Sequence, residues 1–217
     1  MQRSATDFDA PPDAAVWARW FARIEAQNAA IARLLHGELG GLLTVAGMHL
    51  QRRSSAAVRT ALQQAVQHAA ALNREVVGQL YPQLLEHLGL VATLQIALQA
   101  RCDAAGFRLD LQLPESVADL THTGALALYR GAMQAIDNVV MHASADAVQM
   151  GLQCAGGAWR LHVEDNGTGC EPAAAAAAGG SLCALAAWLK GLGGGLRLES
   201  APHQGCRIEL WLPMQAI

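Results

Sequence analysis

The sequence predicts an α-helical hairpin that forms a dimeric four-helix bundle, followed by an α/β sandwich of one sheet and one helical layer. Three observations carry this. Apolar residues recur at three- and four-residue steps over the first eighty positions, as on one face of a helix. From about Leu88 the texture changes to short alternating strands mixed with helices. The last two strand-like runs, GLRLES and CRIELWL, are close enough in the chain to pair antiparallel.

In order along the chain, residues 1–12 are expected to be a flexible N-terminus. The helical hairpin occupies 13–84 and the α/β domain 88–217. In the first helix, from about Pro12 to Arg53, Trp17, Trp20, Phe21, Ile24, Ile31, Leu34, Leu35, Leu39 and Leu42 form one stripe. APPD supplies its start signal, with Asp13 as N-cap. A second amphipathic helix runs from about Ser55 to Leu80 through Val58, Leu62, Val66, Ala69, Leu72 and Val76, and Pro82 ends or kinks it. One hairpin cannot cover its own stripe, whereas two make a four-helix bundle. A homodimer through residues 13–80 follows. Beyond it come a helix at Val91–Ala104, a strand in FRLDLQL, and a helix from Thr123 to His142. Strands at Ala147–Cys154 and Ala158–Glu164, a helix at Leu182–Lys190 and the two closing strands complete the domain.

Composition narrows the function. Of 217 residues 53% are apolar and 15% charged, which excludes a disordered chain. A net charge of −3 gives no general attraction to nucleic acid or to an anionic membrane, so neither is an expected partner. Five scattered cysteines without a CxxC pair argue against a disulfide framework and a zinc site, and fit a reduced, cytoplasmic setting. MQRSATDFDAPPD has no apolar core and does not read as a secretory signal. Pro172–Leu189 is uncharged, but its alanine and glycine content reads as a mobile loop running into a buried helix rather than a membrane span.

Three stretches can carry chemistry. LLHGELGG places His36 a quarter-turn from the apolar stripe, where another protein surface can reach it; a solvated helix-face histidine looks the same. Gly37 beside it costs a helix roughly 1 kcal/mol relative to alanine. VEDNGTG reads as a strand ending in Asp165, then a glycine-rich turn. Its carboxylate can accept a hydrogen bond from an exocyclic amine, and Gly167 and Gly169 let a ligand approach the backbone. D-x-G-x-G is also an ordinary hairpin turn. LYRGAMQAIDNVVMHAS carries Asn138, whose amide oxygen suits a hard cation such as Mg²⁺ or a buried structural hydrogen bond.

In this order the segments resemble the cytoplasmic core of a sensor histidine kinase of two-component signalling, over residues 30–213. The subfamily it resembles has a phosphoacceptor motif reading roughly H-[DE]-x-x-G-Q. IARLLHGELGG is similar to the phosphoacceptor helix, and LYPQLLEHLGLVATL to the join with the ATPase domain. LYRGAMQAIDNVVMHASA resembles the N box, VEDNGTG the G1 box and LGGGLRLESAPHQGCRIELWLP the closing strands. The resemblance implies a dimeric bundle bearing His36 and a histidine-kinase-like ATPase fold binding ATP and Mg²⁺. Asn138 would hold the metal and Asp165 the adenine amino group. Gly167 and Gly169 would shape the nucleotide loop, with 166–181 as the lid.

The departures from the family's pattern are catalytic. Histidine phosphorylation needs an unprotonated ring nitrogen, and a neighbouring carboxylate orients the ring or takes its proton. Gly37 stands where the family has that carboxylate, and Glu38 is rotated about 100° away. Gln134 replaces the N-box glutamate, Met141 a basic residue, and Gly41 the glutamine of phosphatase activity. No Lys or Arg occurs between Leu161 and Leu189, so the lid lacks cations for phosphates.

Three readings follow. The chain is an active ATP-dependent histidine kinase. Or it is a kinase-derived phosphotransfer protein, with weak or no autokinase activity, that carries a phosphoryl group on His36 to or from the aspartate of a response-regulator receiver. Or it is a non-catalytic pseudokinase scaffold binding a receiver or a partner kinase. The second is the expectation, because transfer from a receiver needs an accessible imidazole but no base in the bundle.

Overall fold

The computed structural model describes residues 3–8, 14–53, 60, 63–71, 73, 82–117, 119–177 and 181–214. The chain divides into two compact units, Ala22–Glu86 and, taken together, Met1–Phe21 with His87–Ile217.

The helix Ala14–Leu34, which belongs to the first unit from Ala22 on, runs through a five-residue π-helical segment, Leu35–Leu39, into the helix Gly40–Arg53. The predicted single helix is thus one continuous path with a wider turn in its middle. The buried side chain of Asn73 fastens that turn, its Nδ2 donating to the Leu35 carbonyl at 3.0 Å. Of the predicted second helix, residues 63–71 are helical, with Val66 and Ala69 half-buried. Asp13, Val58, Leu62, Leu72 and Val76 lie outside the described residues, as do the side chains of Trp17, Trp20 and Phe21. Of the predicted stripe, Ile31, Leu34, Leu39 and Leu42 (67% exposed) are exposed on the single chain and Ile24 and Leu35 are half-buried; Val45 and Met48 extend the exposed face. Ile24–Ala46 is long and apolar enough to cross a membrane by length and composition alone. Arg33, His36 and Glu38 would then sit in mid-span, where charge is costly.

The second unit is a six-stranded sheet in the order β1-β5-β6-β4-β3-β2. Its strands are β1 Ser4–Asp7, β2 Arg108–Gln112, β3 Ala147–Ala155, β4 Ala158–Asp165, β5 Gly195–Ser200 and β6 Cys206–Pro213. Among the described strands only β2 and β3 pair in parallel; β5 and β6 pair antiparallel, with Ser200 opposite Cys206. Burial alternates along β4, β5 and β6, as in a sheet covered on one face. The helices His122–Asn138 and Ser181–Gly191 supply the cover. Leu128, Ile136, Leu161, Trp188, Leu189, Leu196, Leu198 and Leu210 are fully buried in this unit. Each large apolar side chain so removed from water contributes about 1.5–3 kcal/mol.

Four sequence expectations are corrected. The N-terminus is not a flexible arm over residues 3–8: β1 pairs antiparallel with β5, Ser4 opposite Ser200. Arg3 Nη1 donates to Glu164 Oε1 at 2.6 Å, Arg197 grips both oxygens of Asp7, and Phe8 is buried. The helix expected at Val91–Ala104 extends over Gln83–Ala105 and is broken at Gly89, whose φ of 74° leaves the helical region. Pro82 accordingly opens this helix, its carbonyl accepting from the Leu85 N–H. The helix expected to run to His142 turns π-helical at Val139–Ala143 and stops at Ser144 in the left-handed region. Finally, Pro172–Ala177, predicted as loop, is a short helix.

Candidate functional site

The site grows from the end of β4. Its strand register directs Asp165 to the covered face, leaving it 6% exposed. The backbone then turns sharply through Gly167 and Gly169. A Cβ on Gly167 would lie 2.1 Å from the Ala143 carbonyl oxygen, and one on Gly169 equally close to that of Ala201. Gly169 also has a φ of 64°, which glycine adopts at no steric cost. The turn is stitched on both sides: Thr168 N–H donates to the Ala143 carbonyl at 2.7 Å, and Gly205 N–H to that of Gly167 at 2.9 Å. Asn166 completes it, accepting from the N–H groups of Asp146 and Ala147.

Above this turn lies a cavity of about 400 Å³. Asn138, His142, Asp165, Thr168 and Gly169 line it beside apolar groups including Val139, Val163, Leu182, Leu198 and Ile208. Asn138 and Asp165, chosen from sequence 27 residues apart, therefore meet in one pocket. Gly167 supports its floor, donating its N–H to Asp165 Oδ1 at 2.8 Å. Burial pushes the Asp165 carboxyl above the usual range, against the pull of the Gly167 and Cys206 N–H groups. A carboxylate held so in an apolar pocket favours a ligand that brings a hydrogen-bond donor.

The remaining positions fall elsewhere. Gln134 points its amide at the next turn, Nε2 donating to Asn138 Oδ1 at 3.3 Å. Met141 is 73% exposed and not among the cavity's lining residues. His36 is exposed in the first unit, inside the π segment, with Glu38 exposed two residues on. Such π turns gather at functional sites. A Cβ built on Gly37 or Gly41 would meet nothing within 4 Å, so neither glycine answers a packing need.

Toward magnesium the described lining offers the Asn138 amide oxygen and one carboxylate, Asp165. The Asn138 oxygen already accepts from Gln134, and the one lining carboxylate is drawn into backbone bonds. Among the described residues no group of three His, Cys, Asp or Glu side chains could hold a metal ion.

Sequence reasoning missed Ser200, Cys170 and Cys206. Ser200 is fully buried; its Oγ donates to the Gly205 carbonyl and accepts from the Cys170 N–H, tying the glycine turn to the β5–β6 hairpin. Cys170 and Cys206 line the cavity, and burial first, then Asp165, pushes the Cys206 thiol up to about 12. Only the strand register, placing Cys206 opposite Asp165, reveals them.

No family model matches the chain. Over 142 residues it is 28% identical to the sensor histidine kinase ComP of Bacillus subtilis, an overlap of 64% of this chain and 18% of ComP. The chain thus spans under a fifth of that relative's length. In fold it is similar to the histidine kinase domain of the blue-light activated histidine kinase EL346 of Erythrobacter litoralis. The TM-score is 0.52 at 17% identity, over 80% of this chain and 96% of that one. A second solved structure, histidine kinase AdeS of Acinetobacter baumannii, aligns with TM-score 0.46 at 15% identity, over 84% and 94%.

Proposed function

On the premise that this chain is built as a sensor histidine kinase core, we propose that it works in two-component signalling as a phosphoryl carrier. His36 accepts the group from, or returns it to, the aspartate of a response-regulator receiver. An imidazole nitrogen attacks the phosphorus of the aspartyl phosphate; the N–P bond forms as the O–P bond breaks, and the carboxylate leaves as an anion. The return step reverses the same bonds. This needs an accessible ring and a receiver that supplies the acidic site.

The observation that carries the reading is His36 itself, exposed on a π turn with open space at Gly37 where a base would stand. Autokinase activity is weak or absent on this reading, because Gln134 offers an amide and not a carboxylate. The exposed stripe Ile31, Leu34, Leu39, Leu42, Val45 and Met48 supports pairing of two chains into a bundle.

The test compares wild type with His36→Gln, each given a ³²P-labelled phospho-receiver or γ-labelled ATP. Label reaching His36 from the receiver and not from ATP is the expected result. Label from ATP makes the chain an active kinase, and label from neither source makes it a scaffold for a receiver or partner kinase.

A further inference from the structure

We infer that the strand β1, Ser4–Asp7, is a strap that controls entry to the cavity beside Asp165. Seated on β5 it keeps one wall of that cavity in place, and its release lets the wall swing open. The inference concerns access to the cavity and stands independently of the carrier role of His36.

Three connections run from β1 to the cavity. The helix Pro172–Ala177, whose Ala175 lines the cavity, packs against both β1 and β5. Ser4 pairs with Ser200, and Ser200 Oγ accepts from the Cys170 N–H at 2.9 Å, just ahead of that helix. Arg3 Nε and Nη2 donate to the Gln204 carbonyl at 3.1 and 2.6 Å, beside Gly205, whose own carbonyl takes the Ser200 hydroxyl. Removing β1 therefore withdraws support from the wall and from the glycine turn together.

The wall has little strength of its own. Pro172–Ala177 is six residues long, with alanine at every position after the proline. Isolated helices below about 12–15 residues are marginal in water, so this one depends on what it packs against. It has no large side chain to bury. The Cys183 thiol, donating to the Ala176 carbonyl at 3.5 Å, is its tie to the next helix.

The strap is lightly attached. β1 is an edge strand of four mostly exposed residues, and its Asp7–Arg197 ion pair lies in solvent, where such pairs add little. Elements of this kind open locally at far lower free energy than a core strand. β1 also stands in the chain just ahead of the helix Ala14–Leu34 that leads to His36. A displacement of that helix's start has a covalent route to the cavity.

Cysteines already in the chain report the position of the strap. Cys170 lines the cavity and Cys183 touches the wall helix, while Cys154 is exposed on β3 and Cys102 is buried. Iodoacetamide alkylation of the full chain, resolved by site with mass spectrometry, is compared between wild type, Thr6→Pro and Ala5→Pro. The Phe8 N–H donates to the Leu196 carbonyl, so alternation along the antiparallel pair turns the Thr6 N–H toward β5 and the Ala5 N–H away. Proline at 6 removes a ladder bond, and proline at 5 removes none.

Thr6→Pro should speed alkylation of Cys170 and Cys183 by at least about fivefold, with Cys154 unchanged, Cys102 unreactive and Ala5→Pro like wild type. Deleting residues 1–8 should raise the two rates further. Wild-type rates at Cys170 and Cys183 in either Thr6→Pro or the deletion overturn the inference. Acceleration that reaches Cys102 equally also overturns it, because β1 is then a support of the whole fold and not a strap on one cavity. So does an Ala5→Pro effect as large as that of Thr6→Pro.

Discussion

Replacing Gly37 with alanine should stabilise the protein, although it alters the residue next to the proposed phosphoryl acceptor. Gly37 lies inside the π-helical segment Leu35–Leu39, and a methyl group there meets no atom within 4 Å. Alanine therefore introduces no clash and restricts the unfolded chain. Glycine in a helix interior is destabilising by about 0.5–1 kcal/mol relative to alanine, and the full difference should be recovered here. For a chain of this size that raises the melting temperature by about 1–4 °C. Far-UV circular dichroism melts at several protein concentrations measure it. Gly41→Ala, with equally open surroundings, should move the same way. A fall in melting temperature for Gly37→Ala at every concentration would refute the reasoning, because it would mean that the π turn needs glycine or that another surface fills the space.

Gly167→Ala should have the opposite sign. Its Cβ would sit 2.1 Å from the Ala143 carbonyl oxygen, and opening that contact costs about 2–3 kcal/mol, visible as a lower urea midpoint; an unchanged midpoint contradicts the packing described. Arg3→Ala should reduce stability in a pH-dependent way. Burial raises the Glu164 carboxyl, but hydrogen bonds from Arg3 and Arg207 outweigh it and hold the group below its ordinary 4.5. That contribution is present above about pH 4.5 and is lost as pH falls through the folded-state value. Wild type should therefore exceed Arg3→Ala by about 1–2 kcal/mol at pH 7, the gap narrowing in acid to what the Arg3 bonds to the Gln204 carbonyl contribute, and a pH-independent gap denies the pairing with Glu164 its role. The double variant Gly37→Glu with Gln134→Glu should label His36 from ATP at least about tenfold faster than wild type; no gain would show that these carboxylates are not what limits the kinase step.

Strands β2 to β6 of the second unit were legible in the sequence almost to the residue. Alternation such as Leu196, Leu198 against Arg197, Glu199 specifies both the strand and its buried face. Asn138 and Asp165, which line one cavity, each sit where an element ends. β1 was not legible, because Ser4–Asp7 is short and mostly exposed, and its pairing with β5 spans nearly the whole chain. Neither π segment leaves a pattern in composition. In the first, the anchoring bond comes from Asn73, which is 38 residues from Leu35. The Gln134–Asn138 contact was half legible: spacing of four puts the two on one helix face, but the direction of the amide is settled only by local geometry.

The strand Ser4–Asp7 also sets an order of events during synthesis. β1 leaves the ribosome well before its partner β5, and at ordinary elongation rates roughly 10–40 s separate them. In that interval Phe8 and the edge of β1 have no sheet to join, and once β5 emerges it presents a bare edge until the N-terminus returns. A fragment cut at residue 88 would keep that edge open permanently. Even with every cavity residue present, it should be more prone to self-association than the full chain.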